Sequence, residues 1–172
     1  AFEYWDHALQ RLSKLVIERD PLASVAKDSI ARHIRGLMQY GRVDALDRII
    51  RNIVKADGPL WPEALDSIKD SLRYEGNKMP EQGKAMLEEW IRLLTPSDLR
   101  DRLKLYVTNP PYEHEEGKDG HYIDLAAGNA KALAAELSSD LNSIMPHLDE
   151  LLIGEQRMAF WFATNLVQSG CK

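Results

Sequence analysis

The chain is short of the residues that small secreted and membrane proteins depend on. It has one cysteine in 172 residues, Cys171, so an internal disulfide and a cysteine-based zinc site are both excluded. A reducing, cytoplasmic setting is the expectation from that usage. Long apolar runs are lacking too. The longest, Met158 to Ala163, is six residues, against the roughly 20 that a membrane-spanning helix needs. No basic, apolar leader opens the chain, and there is no initiator methionine. Ala1-Phe2-Glu3-Tyr4-Trp5-Asp6 reads as the start of a piece excised from a larger protein. Gly-rich phosphate loops, nucleophile elbows and alternating strand patterns are likewise absent.

What is present is ordinary in amount and helical in pattern. Hydrophobic residues make up 44% and charged residues 28%, enough apolar material for a packed core. Val43, Leu46, Ile49, Ile50, Ile53 and Val54 step by three and four, the period of an amphipathic helix. Similar stripes predict helices over 2–19, 22–40, 62–75, 80–94, 96–107, 123–138, 141–153 and 156–168. Punctuation supports the boundaries. Asp20-Pro21 and Thr95-Pro96-Ser97-Asp98 read as helix restarts with Asp20 and Thr95 as caps. Gly41, Gly58 and Gly76 read as stops. Pro146 either starts a helix or bends one.

About nine helices joined by short connections predict an all-α fold. Neighbours must run antiparallel. Each helix pair has a size near the lower end of the HEAT range of about 40 to 47 residues. The expected architecture is a HEAT-like stack of antiparallel pairs, an α-α superhelix, with a closed helical bundle as the alternative. A single domain over 1–172 is expected, with the loop 108–121 separating helical blocks 1–107 and 122–172.

That loop, Thr108 to His121, is the one long stretch that reads as non-helical. Asn109-Pro110-Pro111-Tyr112 resembles the catalytic motif of adenine-specific amino-methyltransferases. In that family such a motif holds a flipped base, and Leu105 to Val107 would then end a strand. The family also requires a parallel sheet and a Gly-rich cofactor turn, which this chain lacks. The competing reading makes Asn109 a left-handed helix stop, with two prolines preventing a restart. His114, Glu115, Glu116, Asp119 and His121 could ligate a metal, but match neither a calcium-hand nor a helical zinc pattern. No metal or cofactor is expected. Tyr112, His114, His121 and Tyr122 are the loop residues expected to touch a partner.

Two other features invite a partner. Arg32, Arg35, Arg48, Arg51 and Lys55 could form a basic face for nucleic acid. Asp44 and Asp47, four residues before Arg48 and Arg51, predict self-neutralisation instead. The charge is also uneven: the net −5 is concentrated after residue 109, which argues against that part lying on an anionic surface. Phe160-Trp161-Phe162 places three aromatics around one helix, more than one face can bury. Trp161 is therefore a further expected contact residue.

The run from Thr95 to His114, Thr-Pro-Ser-Asp-Leu-Arg-Asp-Arg-Leu-Lys-Leu-Tyr-Val-Thr-Asn-Pro-Pro-Tyr-Glu-His, resembles helix-to-loop passages in helical arrays of large bacterial multidomain proteins. Signal-sensing NTPases with a C-terminal solenoid are among them. The resemblance implies a scaffold or sensing segment, with nucleotide chemistry elsewhere in the parent chain. The function expected is thus a non-catalytic scaffold or protein-interaction segment that binds a protein partner or another domain of its parent. The alternatives are a metal-dependent or nucleotide-modifying enzyme centred on 109–121, and a nucleic-acid binder through the N-terminal basic helices.

Overall fold

The computed structural model describes residues 2–110, 114–116, 122–154 and 156–170. The fold is all-α, with one pair of three-residue strands among the described residues, the first within the long loop and the second just after it. The chain forms two compact units, residues 1–96 and 97–172.

The first unit holds α1 (Phe2–Ile17), α2 (Ala23–Gln39), α3 (Val43–Asp57), α4 (Pro62–Glu75) and α5 (Glu81–Leu94). Packing links α1 to α3 and α3 to α5, while α2 packs on α4. The neighbours α1–α2, α2–α3 and α4–α5 also touch. The predicted stripes supply the core. Ile30, Ile34 and Leu37 of α2, Leu46, Ile50 and Ile53 of α3, and Leu65 and Ile68 of α4 are all buried. Trp61 and Trp90 are fully enclosed. The stripes overreach at their margins: Leu22 and Val25, at the start of α2, stay exposed.

The turns follow local chemistry. At the end of α2 the Arg42 amide donates to Leu37 O and the Gly41 amide to Met38 O, the paired bonds of a left-handed helix stop. Gly41 has the required φ of 71°. The end of α1 repeats the arrangement, with Asp20 N bonded to Leu15 O and Arg19 N to Val16 O. There the left-handed position, φ 53°, is held by Arg19 and not by a glycine. Asp20 does act as a local acceptor, taking the Leu22 amide at 2.8 Å. Gly76 departs from expectation: its backbone is right-handed and continues into a tight turn, Gly76–Lys78.

The second unit holds α6 (Leu99–Leu103), a π-helical turn Lys104–Thr108, strands β1 (His114–Glu116) and β2 (Tyr122–Asp124), α7 (Leu125–Leu137), two 3₁₀ turns, α8 (Leu148–Ile153) and α9 (Gln156–Gly170). Leu103 and Val107 pack in one core with Ala130, Leu133 and Ala134 of α7 and Met158 and Phe162 of α9. The division between units therefore precedes α6 and does not fall in the loop.

Four local expectations are corrected. The cap before α6 is Asp98, whose carboxylate accepts the Asp101 amide at 3.2 Å, and not Thr95. The Thr95 hydroxyl donates back to Ile91 O instead. Asn109 is not left-handed; its φ is −143°. Its amide reaches Lys104 O, five residues back, so the widened π register closes this helix without a positive φ. Leu105 to Val107, which could have passed as the end of a strand, is helical. Finally, α7 begins at Leu125 and not at Ile123, because Ile123 pairs with Glu115 in the hairpin and Asp124 caps the helix. Pro146 starts a helical turn, Met145–His147, and does not bend an existing helix.

Candidate functional site

The surface features that could meet a partner in the second unit lie around α9. Its buried seam runs through Met158 and Phe162, with Ala159 and Leu166 packed alongside. That seam fixes the rotation of the helix. Phe162 is 2% exposed, whereas Phe160 is 68% exposed and Trp161 50%. The aromatic triplet thus splits into one anchor and two free rings, as the crowding argument required. The Asn165 side-chain amide donates back to Trp161 O, one turn earlier, an added tie across the exposed turn.

The hairpin sits at the N-terminal end of α7. β1 and β2 are antiparallel, with His114 opposite Asp124 and Glu116 opposite Tyr122. Asp124 joins three elements. It belongs to β2, its Oδ1 accepts the Ala127 amide at 3.1 Å, and its Oδ2 lies 3.7 Å from the Arg157 guanidinium at the start of α9. Trp161 is one helical turn beyond Arg157. The backbones of His114 and Tyr122 are thereby placed on strands joined to the end of the unit where α9 begins. Tyr112 and His121 lie outside the described residues, as does Asp119, whereas the backbones of the other would-be metal ligands, His114, Glu115 and Glu116, form β1. Among the described residues no group of three or more His, Cys, Asp or Glu side chains converges on a metal position.

Two of the five basic residues of the N-terminal face, Arg51 and Arg35, are committed to acids. Arg51 bonds both carboxylate oxygens of Asp47 at 3.0 Å and reaches Glu89 of α5 at 2.7 Å. Arg35 pairs with Glu75 of α4 at 2.7 Å. The Asp44–Arg48 pair takes a different form from the expected one: Arg48 Nε donates to the Asp44 backbone carbonyl at 3.3 Å. Spacing foresaw Asp47, but the partners Glu89 and Glu75 lie 38 and 40 residues away and left no local signal.

Asp47 is the most heavily used carboxylate of this unit. Burial acts to raise its pKa, but the hydrogen bonds from Arg51 and from the enclosed Trp90 indole, at 2.8 Å, outweigh it and hold the group below the ordinary carboxylate range. In the second unit Arg102 grips Glu136 with two bonds of 2.8 and 2.6 Å, and Arg100 holds Glu150 at 2.6 Å. Both glutamates are lowered, first by these hydrogen bonds. These are structural pairs.

Two concavities mark the first unit. A small apolar one of about 70 Å³ lies among Trp5, Gly36, Leu37 and Tyr40, beside His33. His33 is engaged there: its ring lies 5.4 Å from Trp5, and its Nδ1 is 2.7 Å from Ser29 O. A shallower groove of about 330 Å³ runs between α1 and α3, rimmed by Asp6, Lys14, Glu18 and Arg48. No family model, curated protein or solved structure matches the chain. Among the described residues no helix is long and apolar enough to cross a membrane.

Proposed function

We propose that this chain is a non-catalytic scaffold or protein-interaction segment of a larger protein, working in a cytoplasmic setting. The observation that carries the reading is the pair Phe160 and Trp161, held outward by a helix whose next residue, Phe162, is locked in the core. Two large rings on a rigid helix supply contact area at little conformational cost, and aromatic residues of this kind dominate protein interfaces. The pairing of helices in the first unit supports the accompanying architectural reading. A row of α1, α3 and α5 beside a row of α2 and α4 is compatible with a HEAT-like superhelix. His114 and Tyr122, whose backbones lie on β1 and β2, join the proposed contact surface, and Tyr112 and His121 are proposed as further contacts from the sequence alone.

The test is comparative capture. The 172-residue chain and a Phe160→Ala/Trp161→Ala variant are immobilised side by side, and retained proteins are quantified. The expected outcome is at least one partner held by the parent chain and reduced tenfold or more by the variant, at unchanged helical content. Identical retention by both would refute the assignment of these rings.

A further inference from the structure

A second unpartnered apolar feature precedes α9, and its surroundings say what it fits. Leu141, Met145, Leu148 and Leu152 recur at spacings of four, three and four residues, the seam of an amphipathic helix. The chain over 141–153 passes from two 3₁₀ turns, Leu141–Ser143 and Met145–His147, separated by Ile144, into α8. Its core side is defined by Ile144 and Leu151, both buried. Glu150 faces the same way, tied to Arg100 of α6. The four seam residues therefore face outward, with Met145 60% and Leu152 77% exposed. A core helix would bury such a seam. This one buries Ile144 and Leu151 and leaves the seam to solvent.

Charge selects the occupant. Residues 132–156 contain five acids and no Lys or Arg. Glu136 and Glu150 are neutralised by Arg102 and Arg100. Asp140 and Asp149 flank the seam and are exposed, and neither makes an ion pair within the described residues. An apolar stripe with an acidic rim repels acidic peptides and anionic lipid, and attracts a helix whose apolar face is bordered by Lys or Arg. We infer that Leu141, Met145, Leu148 and Leu152 form a docking stripe for a basic amphipathic helix, with Asp140 and Asp149 selecting its charge. Burial of Leu and Met side chains supplies the affinity of such helix-on-helix recognition, and the rim supplies rate and selectivity. The thioether of Met145 lets the stripe adapt to differently spaced anchors.

The inference rests on the interaction reading above and names the partner chemistry for it. It is tested with two labelled 18-residue helical peptides of identical Leu pattern, one rimmed with Lys and one with Glu. Anisotropy titration against the full chain is expected to give saturable binding of the Lys peptide, weakening as salt rises, and at least tenfold weaker binding of the Glu peptide. Met145→Asp/Leu152→Asp is expected to weaken the Lys peptide tenfold or more. Asp140→Asn/Asp149→Asn, a milder change at exposed positions, is expected to narrow the gap between the two peptides. Equal binding of both peptides, or binding untouched by both double variants, overturns the proposal. So does a dimer in sedimentation that Leu152→Asp dissolves, since the occupant is then a second copy. If neither peptide binds while a partner dependent on Phe160 and Trp161 is still captured, only this inference falls. If that partner is lost as well, both readings fall.

Discussion

Arg19 shows how a single residue can carry strain that its neighbours impose. The α1 stop needs a left-handed residue after Glu18, and arginine has a Cβ that costs roughly 1–2 kcal/mol in that conformation. Arg19→Gly should therefore raise stability by about 0.5–1 kcal/mol, after allowing for the extra freedom glycine gains in the unfolded chain. An unchanged or lowered midpoint in urea would count against it. Asp47 shows the converse, a residue whose value lies in what reaches it. Its folded pKa is depressed, so its contribution is fully present above the unfolded value of 3.8 and disappears as pH falls through the lower folded one. Asp47→Asn keeps an acceptor for the Trp90 indole but removes the charge. The variant should be less stable at neutral pH and lose stability less steeply below about pH 4 than the parent. Parallel curves of melting temperature against pH would contradict this.

Elements here are set by how closely they can approach. Gly154, just past α8, lies so near the π-helical turn that a Cβ would sit 2.7 Å from Thr108 Cα and 2.8 Å from its carbonyl oxygen. Backbone cannot retreat as a flexible side chain can. Gly154→Ala should cost about 1–3 kcal/mol through overpacking, although the φ of −76° is open to any residue. Thermal melts of the two proteins decide it. Periodicity revealed most of these elements, because amphipathic stripes of four turns leave little doubt about phase. It missed the π register at Lys104–Thr108 and the strand at Ile123. A widened turn has no sequence signature of its own, and three residues are too few for alternation to register.

At the scale of the whole chain, there are two compact units, residues 1–96 and 97–172. Residues 1–96 enclose two tryptophans and a full set of aliphatic side chains, which is ample for independent folding at that length. A chain ending at Pro96 should show helical circular dichroism and a cooperative melt; a broad, non-cooperative one would mean that the core is incomplete without the rest. Length and polarity mark a loop, not a border between compact units. Only the burial of Leu103 and Val107 against α7 and α9 assigns α6 to the later unit.

The sequence alone settled the all-α class, the number of stripes and most of their ends, because helical period and glycine stops are local properties. It also foresaw that Phe160, Trp161 and Phe162 could not all be buried together. Which ring would be the anchor depended on the rotation of α9, and that is set by Met158 and Phe162 meeting α7. The same holds for Leu141 to Leu152. As a pattern the stripe is indistinguishable from a core face, since its spacing is identical. Its exposure was decided only when Ile144 and Leu151 took the inward side.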